Sequence, residues 1–536
     1  MDTISPLIIF LLPFWFVRNT KHILFWIYLW QLKQYHRGRF FSHFKTEKGK
    51  KLLLHPLQII KVILLIISFL WFLFLPKDYL LFLYAFLFLI YFLESLLYFK
   101  ALFAKRAKNP AFTKKTIFLF VANFLIAMIF AALLLLFVKN IFWFAFLILI
   151  FEILLPLIVS LVVILIQPMA DSYRLSLQKK AKEKIGSFKK DITIIAITGS
   201  YGKTSTKEYL TTILSQRFQV LATKEHQNTE VAIPQMILNE LNEKYDIFIV
   251  EMGAYDKGTI KRICEFLKPK IGVVTGVNEQ HLALFGLMEN LLSAEGGKEL
   301  LESLPKDGLL VINGENDYCL DLYRKADVQK ISYSFDKLKN INIEKDSVSF
   351  SIEDVSFNVN IFGKHSLLNL LGAISIAKSL GMSFEEISKA TKKISARQSS
   401  YKISESKEGF DIIDSTYSAN PAGVIADLEY LKLFSGKKVI VMPCLIELGK
   451  AAKEVHQKIG KKIAEVCDLA IITTKECFDS IKDGALENGM KKENIELIND
   501  ANLISGKIKS FCKSNDTILL EGRISENIIS KIKIKC

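Results

Sequence analysis

The sequence predicts an α-helical membrane bundle followed by two successive α/β domains, and three observations carry that prediction. Residues 1–168 are dominated by Leu, Ile and Phe, whereas the remainder alternates apolar and charged residues. From Asp191 onward, apolar runs of strand length alternate with helical stretches. The first of those runs, 192–197, enters a glycine-rich turn. At 536 residues the chain has room for three or four domains.

In the first region, residues 116–138 form an uncharged run long enough to cross a bilayer. Segment 141–166 is similar apart from Glu152 and Pro156, and segments 57–75 and 79–99 qualify with Lys61 and Glu94 close enough to their ends to snorkel. Residues 5–31 are divided by Arg18, Lys21 and His22, so one short crossing followed by an interfacial helix is expected there. No small-residue cleavage site follows the first apolar run, which argues against a cleaved signal peptide. Glu152, at mid-depth in its span, is costly unless paired or facing a cavity, and marks either a lipid-facing groove or a helix–helix contact.

The connections 76–78 and 139–140 are minimal, so each pair of spans is a hairpin. The loops 32–55 and 100–115 and the stretch 174–190 are rich in Lys and Arg, which places all three in the cytoplasm. The formal charge of +16 belongs partly to these membrane-flanking loops. The soluble half has no basic stripe with interleaved aromatics, so nucleic acid is not an expected partner. All seven cysteines fall after residue 263 without C-x-x-C spacing, which suits a reduced cytosol and implies no metal–thiolate site.

Residues 169–190 are polar, helical in pattern and basic, and read as a linker leaving the membrane. A central domain over 191–395 has expected parallel strands at 192–197, 246–250, 271–275 and 308–312, with a small antiparallel excursion within 331–362. A third unit, 396–536, has expected strands at 411–414, 438–442, 469–473 and 517–520.

The first strand of the central domain leads into Gly199, Ser200, Tyr201 and Gly202, followed by Lys203, Thr204 and Ser205 at the start of a helix. Glycines let backbone N–H groups face phosphates, a lysine meets the β/γ oxygens and a threonine hydroxyl reaches Mg²⁺. The turn is therefore a cradle for ATP. It departs from the common P-loop because Ile197 stands where the first glycine would be, leaving the narrower T-G-x-x-G-K-T-S. Glu251 ends a buried strand, well placed to hold Mg²⁺ beside the phosphates. Further polar residues stand at later strand ends: Thr275 to His281, Asn313 to Asp317, Gly363 to His365 with Asn369, and Asp414 to Pro421.

Taken in order, these segments resemble the Mur ligase family, most closely its MurF type. The resemblance rests on the cradle, N-x-E-x-x-x-P (Asn228, Glu230, Pro234), the strand end at Glu251, His-Leu-x-x-Phe-Gly from His281, the turn Asn313 to Asp317, Gly-Lys-His-x-x-x-Asn ending at Asn369, Tyr-Ser-Ala-Asn-Pro ending at Pro421, and Glu447-Leu-Gly449 with His456. It covers roughly 190–530 and implies a P-loop central domain and a Rossmann-like C-terminal domain. It also implies an ATP- and Mg²⁺-dependent amide-bond ligase acting through an acyl phosphate. Carried over by position, Lys203 contacts the phosphates, and Thr204 and Glu251 hold one Mg²⁺. His281 helps hold a second metal, Asn313 and Asn369 face adenine, Arg397 closes over the nucleotide, and Asp414 faces ribose or phosphates.

Three positions depart from the family pattern. Glu295 stands where the family has a carbamylated lysine; a glutamate supplies carboxylate oxygens directly, so Glu295 is expected to be a metal ligand and activity to be independent of bicarbonate. Asp414-Ser415 replaces a paired aspartate, and Glu521-Gly522-Arg523 replaces Lys-Gly-Ser. The membrane bundle stands in place of a domain gripping a uridine-diphosphate sugar. The expected partners are accordingly a peptide-bearing envelope precursor, possibly presented on a lipid carrier, an amino acid or dipeptide such as D-Ala-D-Ala, and membrane lipids. A poly-γ-glutamate synthetase and a non-catalytic nucleotide-binding scaffold are the competing readings.

Overall fold

The computed structural model describes residues 6–33, 35–44, 47–53, 55–74, 80–104, 106–138, 140–224, 227–395, 402–406, 408–416 and 419–532. The chain divides into two compact units, Met1–Tyr173 and Arg174–Cys536.

The first unit is helical: α1 (Pro6–Leu32), α2 (Arg37–His43), α3 (Glu47–Leu53), α4 (Pro56–Phe74), α5 (Leu80–Phe103), α6 (Lys114–Phe137) and α7, which begins at Ile141 and runs to Gly186. Thr113 caps α6 through a reciprocal pair of hydrogen bonds with Thr116. Among the described residues, Ala85–Phe103, Lys114–Phe137 and Phe142–Gly186 are long and apolar enough to cross a membrane, and Pro56–Leu70 is a shorter apolar stretch.

Two expectations are corrected here. First, α1 is continuous through Arg18, Lys21 and His22 rather than broken there. Second, Lys61 and Glu94 do not snorkel; both are buried with Arg18 and Glu152. Arg18 pairs with Glu94 and Glu152, while Lys61 lies 3.0 Å from Glu94 and 3.4 Å from Glu152. Four helices thus each contribute one charge to an internally neutral quartet. Pairing removes the penalty that would otherwise have expelled Arg18 and broken α1. It also resolves Glu152 as a helix–helix contact. The residues read as a linker continue α7 as helix to Gly186.

The second unit carries two parallel sheets. In the central sheet, β1 (Thr193–Thr198), β2 (Val220–Ala222), β3 (Ile247–Glu251), β4 (Ile271–Val274), β5 (Leu309–Asn313) and β6 (Gln329–Tyr333) lie in the order β2-β3-β1-β4-β5-β6. Alternation along β1 sends Ile195 and Ile197 to one face, against α8 (Lys203–Leu214) and the helix Gly363–Ser379, and Ile194 and Ala196 to the other. The antiparallel excursion is β7 (Leu338–Ile343), β8 (Val348–Ile352) and β9 (Val355–Val359). It starts later than expected, because β6 joins the parallel sheet beside β5.

The C-terminal sheet contains β10 (Lys402–Glu405), β11 (Asp411–Ser415), β12 (Lys438–Met442), β13 (Leu469–Ile472), β14 (Ile495–Leu497) and β15 (Thr517–Glu521). Its order is β10-β11-β15-β12-β13-β14, parallel except for β10 at one edge. Ile413, Ile440 and Leu519 pack one face, and Ile412, Val441 and Ile518 the other.

Candidate active site

The neighbouring strands β3, β1, β4 and β5 bring their C-terminal ends together, and the polar residues the sequence singles out stand there. Gly199 and Gly202 have φ of 138° and 78°. A side chain at Gly199 would collide with Thr275 and one at Gly202 with Asn369, so the loop needs glycine at both positions for conformation and space. The turn ends directly at the N-terminus of α8, whose first residues are Lys203 and Thr204. Lys203 Nζ donates to the Gly199 carbonyl, which lays the ammonium across the loop.

On one side of the loop, Thr204 Oγ1 donates to Glu251 Oε2 at 3.0 Å. The buried Glu251 carboxylate also accepts from Asn228 Nδ2 at 3.1 Å and lies 3.5 Å from Lys207 Nζ. On the other side, Ser200 Oγ donates to Glu295 Oε2 at 2.8 Å, and His281 Nδ1 lies 2.7 Å from Glu295 Oε1. Burial alone would raise the Glu295 pKa. The charges of His281 and Lys203 and the hydrogen bonds from His281 and Ser200 outweigh it and hold the carboxyl below its usual range.

Two pairs, Thr204–Glu251 and His281–Glu295, therefore flank one phosphate loop. The hydroxyl and the two carboxylates are oxygen donors that suit Mg²⁺ next to phosphate, and the imidazole orients the second carboxylate. Among the described residues no three of His, Cys, Asp and Glu form a preassembled metal cage, so a metal here would take its remaining ligands from elsewhere.

The remaining predicted residues are placed as follows. Tyr201 is packed down, its hydroxyl accepting from Asn316 Nδ2 at 3.3 Å, and burial pushes its pKa up to about 12. Ser205 follows Thr204 within α8. Asn369 sits against Gly202 beneath the loop. Asn313 is buried, donating to the Thr275 carbonyl at 2.9 Å and accepting from the Glu315 N–H at 2.8 Å, which makes it a brace between strand ends. Asp414 accepts from the N–H and hydroxyl of Thr416 at 3.0 and 2.6 Å. Arg397 lies outside the described residues.

Three contacts of residues the sequence had singled out were not visible in it. The segment around His281 is tied to the C-terminal domain: Asn278 Nδ2 donates to Asn420 Oδ1 at 2.9 Å, Gln280 Nε2 to the Ala419 carbonyl at 2.9 Å, and the Ala283 N–H to the Glu447 carbonyl at 2.8 Å. The last two sequence motifs were visible, but not that they meet this one. His456 is buried, its Nε2 accepting from the Leu445 N–H at 2.9 Å while Nδ1 faces the Ala452 carbonyl at 2.6 Å. Burial lowers its pKa, so it is a neutral peg holding the segment that leads to Glu447. Finally, Glu521 is turned inward, its carboxyl buried beside Asp427 and Ser415. Burial and the neighbouring Asp427 raise its pKa well above the usual range.

A glycine-rich loop with a lysine, flanked by magnesium-type oxygen donors at the seam of two α/β domains, defines a nucleotide-dependent group-transfer enzyme. Residues 197–377 match the Mur ligase middle domain, and residues 401–524 match the Mur ligase glutamate ligase domain. Together these matches span more than half of the chain, and the chain belongs to the Mur ligase family, the ATP-dependent amide-bond ligases.

Among its relatives, the UDP-N-acetylmuramoyl-tripeptide–D-alanyl-D-alanine ligase of Synechocystis is 27% identical over 336 residues, covering 62% of this chain and 71% of the relative. The Bacillus subtilis enzyme of the same name is 24% identical over 334 residues, covering 61% and 72%. The crystal structure of MurF ligase from Thermotoga maritima in complex with ADP is similar with a TM-score of 0.58 and 26% identity, over 67% of this chain and 83% of that one. A MurF structure from Acinetobacter baumannii shares the fold with a TM-score of 0.60 at 23% identity, over 68% and 81%.

Proposed function

We propose that this chain is a membrane-anchored, MurF-like ligase that joins an amino acid or dipeptide, D-Ala-D-Ala being the leading candidate, to the carboxylate of a peptide-bearing cell-envelope precursor. The observation that carries it is the convergence of Lys203, Thr204–Glu251 and His281–Glu295 on one phosphate loop.

In this reading a substrate carboxylate oxygen attacks the γ-phosphorus of ATP and ADP leaves, giving an acyl phosphate. The incoming amine attacks the acyl carbon and loses a proton, and phosphate departs from the tetrahedral intermediate. The difficulty is bringing two anions together. Lys203 and the backbone N–H groups of 199–204 hold and screen the transferred phosphoryl group. Ser200 and His281 hold the Glu295 carboxylate in its charged form. Thr204 with Glu251, and His281 with Glu295, would hold Mg²⁺, which supplies further screening of the phosphate oxygens. Because Glu295 is itself a carboxylate, bicarbonate is not needed. Arg397, Asn369 and Asp414 are assigned to the nucleotide.

Membrane anchoring is supported by the inverted polarity of the first unit. Ile66, Leu97, Ile129, Leu161 and Leu165 are each more than half exposed, while Arg18, Lys61, Glu94 and Glu152 are inside. That distribution suits a hydrocarbon solvent. The basic loops support a cytoplasmic position for the ligase domains.

The test is product analysis with the full-length protein in detergent, given ATP, Mg²⁺, D-Ala-D-Ala and either a nucleotide-linked muramoyl tripeptide or a membrane lipid extract. ADP release with a product heavier by one dipeptide is expected from at least one donor. No ADP release above ATP alone, across donors and mixed D- and L-amino acids, would favour the nucleotide-binding scaffold instead.

A further inference from the structure

A cavity of about 330 Å³ opens in the helical unit between α1, α3, the turn before α4, the C-terminal half of α5 and the loop after it. Its charge is lopsided. Lys21 and His22 reach it from α1, His55 from the turn, and Arg106 and Lys108 from the loop. Among the described lining residues Glu94 is the one acid, and it already balances Arg18 and Lys61 within the buried quartet. The quartet is neutral in itself, so nothing in it offsets Lys21, Arg106 and Lys108.

Arg18, Lys21 and His22 recur at helical spacing on one face of α1, which turns two cations and an imidazole toward the cavity along a full turn. Lys21 is only partly exposed inside an apolar bundle, a costly placement for an ammonium unless an anion joins it. The other wall is apolar and aromatic, formed by Phe25, Trp26, Leu57 and Tyr98. Three ammonium or guanidinium groups with two imidazoles match the several charged oxygens of a phosphate better than a single carboxylate. The apolar wall, inside a bundle with an apolar exterior, suits a ligand with a hydrocarbon tail.

We propose that this cavity binds the phosphate or pyrophosphate headgroup of an amphiphile, with Lys21, Arg106 and Lys108 meeting the phosphate oxygens and Trp26 and Tyr98 covering the start of the tail. The site goes beyond the ligase reading and does not depend on it. It opens beside the basic loops assigned to the cytoplasmic side, where anionic headgroups are available.

Binding would be measured by native mass spectrometry and by competition on the full-length protein in neutral detergent, with saturating ADP occupying the nucleotide loop. The probes are farnesyl pyrophosphate, farnesol, phosphatidylglycerol and inorganic pyrophosphate. Farnesyl pyrophosphate is expected to bind, farnesol not, and the Arg106→Ala/Lys108→Ala double variant to weaken binding at least tenfold. Both substituted side chains are exposed on a loop, which spares the fold, and Lys21→Met gives a second measurement from inside the cavity. Equal competition by phosphatidylglycerol would keep the site and assign it to bulk lipid, and equal competition by inorganic pyrophosphate would keep it and assign it to soluble phosphate. Unchanged farnesyl pyrophosphate binding in both variants, binding of farnesol as tight as its pyrophosphate, or no binding of any probe would overturn the proposal.

Discussion

Two clusters of buried charge occupy this chain and are built on opposite plans. In the helical unit, Arg18, Lys61, Glu94 and Glu152 neutralise one another directly. In the ligase unit, Glu251 lies between Thr204, Asn228 and the buried Lys207, and Glu295 between Ser200 and His281, with Lys203 lying across the loop between the two carboxylates. The first plan satisfies every formal charge within the protein and is architecture. The second holds opposite charges near each other without cancelling them, which is what a site receiving a charged nucleotide and a metal requires.

That contrast can be broken by substitution, and the largest effect belongs to the closed cluster. Glu152→Ala removes one member of a buried network and is expected to destabilise the helical unit by about 3–5 kcal/mol, read by thermal unfolding in detergent. Adding Lys61→Met should recover part of the loss, because Arg18 and Glu94 remain a balanced pair. Failure of the double variant to recover would show that the quartet does more than neutralise itself.

In the open cluster, Lys203→Ala is expected to lower substrate-stimulated ADP release about 10²–10³-fold while leaving the unfolding temperature unchanged. Glu295→Gln should cost about 10–100-fold in turnover, with no response of the wild type to added bicarbonate. Unchanged turnover in Glu295→Gln would remove Glu295 from the metal-binding set.

The smallest effect concerns Glu521, whose folded-state pKa is raised. Above the unfolded-state pKa the unfolded chain ionises while the folded carboxyl stays protonated. Its contribution to stability is therefore whole below that pKa and is lost as pH rises toward the folded value. Glu521→Gln should accordingly stabilise the protein by about 1 kcal/mol at pH 8 and by less at pH 5. Equal gains at both pH values would show that the carboxyl is not held neutral.

The open cluster was largely legible in the sequence and the closed one was not, for a physical reason. Lys203 and Thr204 lie within a single strand–turn–helix, Glu251 ends the neighbouring strand β3, and His281 stands in the loop that follows β4, so local pattern placed these four near one another. Glu295, at the C-terminal end of the helix Met288–Ala294, was singled out by the family resemblance instead. Arg18, Lys61, Glu94 and Glu152 come from four helices. Hydropathy registers each as a cost without registering that the costs cancel, so α1 was read as broken and Lys61 and Glu94 as snorkelling. The strand β2 escaped notice because it is only three residues long, and β6 because Gln329 and Lys330 interrupt its apolar pattern. The inward turn of Glu521 was likewise invisible, since a charged residue ending a strand ordinarily faces water.

The hydrogen bonds from Asn278, Gln280 and Ala283 to the C-terminal domain all lie within two or three residues of His281. Any swing of that domain must therefore tug on the imidazole itself. The C-terminal lobe is mechanically geared to the segment that carries His281, so undocking would loosen the contact between His281 and Glu295. The Ala283 amide, protected from deuterium exchange only while the gear is engaged, would report that state directly.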